Sequence, residues 1–465
     1  MIGRTGAISD SPMSKEGLRQ PLKRRHIVLI SLGGAIGAGL FVGSSVSIAG
    51  AGPAIVLSYL VAGCLLALIM RMLAELTLAH PGTRVLSELL RAELGPGVAF
   101  VIGWSYWYLW TMTVAIESVA GGVLLHAWVP LPSWVLGLGV MLLMLLVNLS
   151  STRTFGEFEF WFASLKVAAI VVFMSVALAY VAGLGSAAPS VDHLVREGGF
   201  FARGGWAVVA GVTTVFFSLS GAEITTVAAA ESSESSRSVA WITTTLALRL
   251  IAFYAGSVLL IVCVVPWSQV RPGESPFSLA LDRIGLHWAA TGMTVVVLTA
   301  ILSCLNSAFY VSSRVLFWLA SRGDAPKAFL SLNGRRVPSR AVLLAGATAS
   351  GGIGCAMTSP GGVFAFLINT CGALILAVYL SICIAYIAMR SRHARQGLRT
   401  EGWRLAPYPA ISYLTVVCIM GVLIVMGNSK ELASQLYAGC LPIVLMAAAY
   451  LMIRRRRQAL VAGST

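Results

Sequence analysis

Glu117, Lys166 and Glu223 are ionisable residues set within long apolar stretches. Glu117 lies in WTMTVAIESVAGG and Lys166 in FEFWFASLKVAAI, while Glu223 lies in SLSGAEI with Glu231 a short way beyond it. A charge at the centre of a bilayer costs at least about 2.5 kcal/mol even on the lenient insertion scale, so such residues need a partner or a task. A carboxylate there can pair with a ligand amine or carry a proton, and a lysine removed from water can gain and lose one. Plainer readings stand beside these. Glu117 can be a protonated structural acid, Lys166 one half of a static pair with Glu223 or Glu231, and Glu231 an ordinary acid at a loop edge.

Two stretches of small residues accompany the charges. LGGAIGAGLFVGSS, Leu32 to Ser45, places five glycines inside the first apolar run. Unwound backbone at membrane depth is tolerated only where it lines a protected cavity, although Gly33/Gly37 and Gly39/Gly43 also fit the spacing by which membrane helices approach closely. The sixth apolar run carries a second interruption, Phe216-Phe217-Ser218-Leu219-Ser220-Gly221-Ala222-Glu223. Two broken helices facing each other present freed amides and half-helix dipoles of about half a unit charge, the positive ends suited to a carboxylate and the carbonyl ends to an ammonium group. The backbone of Ala35, Ile36, Gly37, Ala38 and Gly39, with Ser218, Leu219, Ser220, Gly221 and Ala222, is therefore expected to hold a small zwitterion, with Glu117 beside it. Lys166, Glu223 and Glu231 are the candidates for moving a proton.

The elements that must position these residues are membrane helices. The chain has 465 residues, 57% hydrophobic and 11% charged, with a mean hydropathy of +0.85. It reads as an all-α polytopic membrane protein. Apolar runs near 27–50, 53–79, 98–126, 134–150, 159–183, 206–230, 240–265, 285–320, 339–357, 362–388, 407–427 and 435–453 predict twelve spans. The net charge of +15 does not point to nucleic acid, because the basic residues cluster between spans. Lys23-Arg24-Arg25, Arg84, Arg91, Arg153, Arg322 to Arg340, Arg390 to Arg404 and Arg454 to Arg457 all fall on one side. That positive-inside pattern predicts both termini in the cytoplasm. Residues 1–26 are polar and basic with no cleavage site before the first span, which is expected to remain as an anchor.

The two interruptions open successive groups of five spans, 27–183 and 206–388, and an odd number of spans per group turns the second copy upside down. Spans at 407–453 lie outside this inverted repeat, with residues 1–26 and 454–465 as cytoplasmic tails. Arg71 and Glu75 have the spacing of a structural pair, Arg249 and Arg314 are expected to snorkel from helix ends, and GWSYWYLW, Trp104 to Trp110, is expected to pack or form an interfacial belt. The eight cysteines, with no CxxC pair, read as packing residues, and the six histidines are too dispersed for a metal site. No GxSxG, HExxH or P-loop is present, and GAGLFVG follows no strand, so neither an enzyme nor a cofactor is indicated. Without an ATP motif, an ion gradient or substrate exchange is the expected energy source.

At these residues the chain resembles bacterial amino acid permeases of the amino acid/polyamine/organocation (APC) superfamily, nearly end to end. The resemblance rests on LKRRHIVLISLGGAIGAGLFVGSS, AGPAIVLSYLVAG, MRMLAEL, FGEFEFWFASLKV, SGAEITTVAAAES, SCLNSAFYVSSRVLF and SRGDAP. Phe41 to Ser45, Gly103-Trp104, Glu117 and the segment Ala222-Glu223 to Ala230-Glu231 look most like 4-aminobutyrate (GABA) permeases, while aromatic and alanine/glycine permeases share much of the skeleton. The resemblance implies a five-plus-five inverted repeat with broken helices 1 and 6 and two extra helices. It also implies substrate at the breaks around Gly37 and Gly221, and proton rather than sodium coupling through Lys166. The expectation is a proton symporter importing a small amino acid across a bacterial cytoplasmic (inner) membrane. Alternatives are an exchanger, a permease for aromatic or small neutral amino acids, or a non-transporting sensor.

Overall fold

The computed structural model describes residues 36–83, 85–150, 155–184, 191–224, 226, 236–396 and 407–462. Ala35, Glu231 and the expected N-terminal tail, 1–26, lie outside the described residues. Within the described residues, each expected span falls on helix. Span 1 is Ala38–Phe41 and Gly43–Ala51, span 2 Ile55–Ala79, span 3 Pro96–His126, span 4 Ser133–Ser150, span 5 Phe155–Val181, and span 6 opens with Gly205–Ser218. Spans 7 to 12 are Ser236–Val264, His287–Ser321, Ser339–Cys355, Pro360–Arg395, Ala410–Asn428 and Ala433–Ala462. Among the described residues 9 helical stretches are long and apolar enough to cross a membrane. The difference from twelve has local causes. Spans 1 and 2 run on through a tight turn at Gly52–Ala54, span 6 is interrupted after Ser218, and span 9 is only 17 residues long. Span 12 continues as helix through Arg454–Arg456 to Ala462, so most of the expected tail 454–465 extends that helix.

Packing reveals the repeat. Span 3 packs on spans 9 and 10, and span 8 on spans 4 and 5; span 5 packs on span 7, and span 10 on span 2. Adding five to each ordinal converts one set of contacts into the other, and the pairs 2 with 7 and 3 with 8 map onto themselves. The fold is thus the inverted repeat of two five-helix groups, with spans 11 and 12 packed outside it. Two short linking helices obey the same operation. Leu86–Leu94, after span 2, buries Leu86, Leu89 and Leu90 against spans 3 and 10, while Pro276–Arg283, after span 7, buries Phe277, Ala280 and Leu281 against spans 8 and 5. Both sets have the i, i+3, i+4 spacing of one apolar helix face. Span 3 is buried along most of its length, whereas span 12 packs by one face on spans 10 and 3 and leaves few residues fully buried.

The first linking helix is latched at the basic end of the bundle. Arg91 pairs with Asp324, Arg322 with Glu88, and Arg392 with Glu93 at 2.6 Å. Such partly exposed pairs contribute at most about 1 kcal/mol each. Glu75 lies 4.0 Å from Arg390 and accepts from the Tyr386 hydroxyl of span 10 at 2.8 Å, which ties span 2 to span 10.

Helices in lipid gain little from hydrophobic association, so close backbone approach matters. At Gly372 a Cβ would stand 2.2 Å from the Thr213 carbonyl oxygen of span 6. Gly372→Val is expected to destabilise the protein by about 1–3 kcal/mol. Gly421→Ala, where an added Cβ meets nothing within 4 Å, should cause no loss. Thermal midpoints of the detergent-purified variants check this.

Candidate functional site

The two interrupted helices meet in the centre of the bundle. In span 1 the backbone is extended at Gly37, and helix begins at Ala38. A second interruption at Val42 separates Ala38–Phe41 from Gly43–Ala51. In span 6 helix ends at Ser218, Leu219 to Gly221 form a turn, and Gly221 takes φ +101°, a conformation that favours glycine. Gly39 lies directly against Ser218, where a Cβ would come within 2.7 Å of the Ser218 Cα. The close-approach reading of the glycine stretch holds at Gly39, where it brings the two breaks together.

Backbone groups freed by the breaks are satisfied by side chains. Ser218 Oγ donates to the Gly39 carbonyl at 2.7 Å, and the Tyr254 hydroxyl donates to the Ser218 carbonyl at 2.9 Å. Ser220 Oγ returns to the Phe217 carbonyl at 2.7 Å, and Leu219 and Ala222 are buried alongside. The Ala38 amide, at the positive end of the resumed helix, donates to both oxygens of Glu117 at 3.2 and 3.3 Å. Ile36, Gly37, Ala38, Gly39, Ser218 and Glu117 thus form one cluster from spans 1, 3 and 6. The Cys304 side chain of span 8 is buried beside Glu117, both meeting the backbone at Gly37.

Lys166 belongs to an adjoining cluster. Its Nζ donates to Ser303 Oγ at 2.9 Å and lies 4.0 Å from Glu159 Oε1, while Ser303 Oγ bonds to both Glu159 oxygens at 2.8 Å. All three side chains are buried. Its acid among the described residues is therefore Glu159, two turns earlier on its own helix, and not Glu223. Ser303 and Cys304 are consecutive on span 8, Ser303 bonded to Lys166 and Cys304 beside Glu117 at Gly37, so the two clusters adjoin there. A polar line runs from the Ala38 amide through Glu117, Cys304 and Ser303 to Lys166 and Glu159.

Glu223 is separately held. Its oxygens receive the Tyr106 hydroxyl of span 3 at 2.8 Å, the Tyr379 hydroxyl of span 10 at 2.8 Å and the Gly221 amide at 2.9 Å. Tyr106 is thus a site residue, whereas its neighbours Trp107 and Trp110 pack in the core as expected. Glu223 and Tyr106 line a cavity of about 340 Å³ towards the basic end, together with Arg314, which accordingly faces this cavity rather than simply snorkelling into lipid. On the other side of the break, Ser47, Thr214 and Asn369 line a larger cleft of about 950 Å³ that reaches Arg203 and Glu431. Thr214 donates to Asn369 across it.

Sequence reasoning missed Glu159, Tyr106, Tyr379, Tyr254, Ser303, Cys304 and Asn369 as site residues. Glu159 alone carried a signal, an acid seven residues before Lys166 and hence on the same helix face. Removing one donor from a buried carboxylate costs about 1.5–3 kcal/mol. Tyr106→Phe and Tyr379→Phe are each expected to lower stability by that amount, non-additively in the double variant, measured by thermal unfolding in detergent.

Known proteins agree with this architecture over nearly the whole chain. The family described as "Amino acid permease" matches residues 26–460. The gamma-aminobutyric acid permease of Bacillus subtilis (strain 168) is 37% identical over 450 residues, covering 96% of this chain and 95% of the relative. That of Escherichia coli (strain K12) is 38% identical over 413 residues, covering 87% and 88%. The aromatic amino acid transport protein AroP of Corynebacterium glutamicum is 33% identical over 432 residues, covering 91% and 93%. The relatives are transport proteins, not enzymes. With its broken, inverted helical repeat and this end-to-end similarity, the chain belongs to the amino acid permease family, as a multi-pass membrane protein.

Proposed function

We propose that this permease imports a small zwitterionic amino acid, 4-aminobutyrate or a close relative, by symport with protons. The observation that carries the reading is the Glu117 carboxylate on the Ala38 amide. It occupies the position where the carboxylate of a zwitterion would receive the same amide and the same helix dipole. Two carboxylates cannot share that place ionised, so an arriving substrate displaces Glu117 or neutralises it. A displaced Glu117 has the substrate ammonium on one side. On the other, past the neighbouring Cys304 and Ser303 of span 8, it has the Lys166–Glu159 pair. Redistribution of one proton among Glu117, Lys166 and Glu159 thereby becomes linked to substrate binding, which is the requirement for coupling. Glu223, set in a ring of tyrosines beside the turn of span 6, is the second acid of the substrate path, and Glu231 beyond it a candidate relay.

Alternating access follows as a rocking of the bundle that contains the broken helices against the remaining scaffold of each five-helix repeat. The boundaries 27–183 and 206–388 are proposed for the two repeats, followed by the added pair of spans at 407–453. The basic end, carrying Arg91, Arg322, Lys327, Arg335 and Arg340, is assigned to the cytoplasm of a bacterium, together with both termini. Identity near 37% to a gamma-aminobutyric acid permease favours 4-aminobutyrate as substrate. The AroP relative keeps an aromatic amino acid as the second reading.

In proteoliposomes, uptake of labelled 4-aminobutyrate is expected to rise with an inward proton gradient and to ignore sodium. Uptake of labelled phenylalanine that excess unlabelled 4-aminobutyrate does not reduce would transfer the assignment to aromatic substrates, and absence of uptake of either label under every gradient would reject import. Coupling free energies of about 1–3 kcal/mol correspond to roughly 5- to 150-fold effects. Glu159→Gln should therefore reduce gradient-driven accumulation about tenfold or more while unlabelled-for-labelled exchange at zero gradient continues. Equal loss of both activities would remove Glu159 from the coupling device.

A further inference from the structure

The cavity beside Glu223 holds a second charged side chain to which transport has so far assigned nothing. Spans 3, 6 and 8 and the first linking helix enclose about 340 Å³, with Tyr106, Glu223, Tyr310, Arg314 and Trp318 among the wall residues. Arg314 lies about two helical turns from the basic end of span 8, partly buried, its guanidinium carbon 4.5 Å from the ring centroid of Tyr310. The arginines nearer the surface at that end behave differently. Arg91, Arg322 and Arg392 are each paired with an acid, and Arg390 lies 4.0 Å from Glu75. No carboxylate of the described residues forms an ion pair with Arg314. Glu223 shares the cavity, but its oxygens already receive two tyrosine hydroxyls and an amide.

A partly buried guanidinium that no carboxylate of the described residues pairs with keeps donors to spare, and its planar fork matches a carboxylate. Across the same cavity, the Glu223 carboxylate places negative charge where an ammonium group would be favoured. Opposite charges on the walls of a small, otherwise largely apolar and aromatic chamber are complementary to a zwitterion, and the volume lies in the lower part of the range of small-molecule sites. We infer that this cavity is a second amino acid site, on the path between the helix breaks and the basic face. There the carboxylate of the amino acid docks on Arg314 while its ammonium lies towards Glu223. The cation–π contact with Tyr310 orients the guanidinium until the ligand arrives. The inference rests on the chain carrying amino acids, but not on which one or on what gradient drives it.

Ser87 also lines the cavity and provides a reporter. In purified full-length protein, labelling of Ser87→Cys by a charged maleimide is read against the parent chain, whose native cysteines set the background. A ligand at three times its dissociation constant slows labelling about fourfold, as 1 + [L]/Kd. Millimolar 4-aminobutyrate, alanine or phenylalanine is expected to give at least that protection, and the corresponding carboxyl amides none. Arg314→Gln should abolish the protection in protein that elutes and melts like the parent, and Arg314→Lys should retain part of it. Equal protection by the amides, undiminished protection in Arg314→Gln, or no protection by any of the three amino acids would overturn the site. Failure of proton-driven uptake would leave this readout unaffected, so the two proposals fail separately.

Discussion

A backbone that is unwound inside a membrane must find every one of its hydrogen bonds within the protein, and the centre of this permease is arranged around that requirement. The amide of Ala38 is met by Glu117, the carbonyl of Gly39 by Ser218, the carbonyl of Ser218 by Tyr254 and the amide of Gly221 by Glu223. Each partner but one comes from a different span. The breaks thereby recruit spans 3, 6 and 7 around span 1, and a change in how these helices pack must also change how the freed groups are satisfied. The groups that hold the breaks are the ones proposed above to recognise a zwitterion. An amino acid brings its own carboxylate and ammonium, and so can compete for contacts that the protein otherwise makes with itself.

The inverted repeat distributes charge unequally between equivalent interfaces. Contact of span 5 with span 8 corresponds to contact of span 10 with span 3. At the first interface Lys166, Ser303 and Glu159 form a compact charged cluster. At the second, two tyrosines flank a lone acid contributed by span 6. Equivalent backbone geometry thus supports a lysine–acid pair in one half and a hydroxyl-bonded carboxylate in the other. Buried charges are retained only where their partners are well placed, and both clusters meet that condition with hydrogen bonds of 2.8–2.9 Å. The two cavities lie on opposite sides of span 6's break, one reaching Thr214 and the other Glu223, with the Ser218–Gly39 contact between those residues along the chain.

Much of this was legible from the sequence because the bilayer acts on local properties. Apolar runs of spanning length, the glycine-rich interruption, its counterpart around Gly221, and the odd spacing that inverts the repeat are all readable along one chain. Glu117, Lys166 and Glu223 stood out because charge in an apolar run is conspicuous without any partner in view. Glu159 was harder. It sits at the edge of the apolar run, where an acid reads as interfacial, but the helix begins four residues earlier at Phe155 and carries Glu159 into the interior. The linking helices Leu86–Leu94 and Pro276–Arg283 were hidden for a related reason, since each is too short and too polar to register as a span.

The sequence by itself determined the membrane-spanning architecture, the places where helices break and the charged residues that need partners, because hydropathy, helical period and glycine content are local properties. Only the tertiary structure decided the pairings. Lys166 took Glu159 through Ser303, Glu117 took the Ala38 amide, and Tyr106 met Tyr379 on Glu223 across a long separation in the chain. Such pairings depend on the rotation and relative placement of whole helices. These are set by side-chain packing summed over many contacts between distant segments, and that sum is not encoded at any single position.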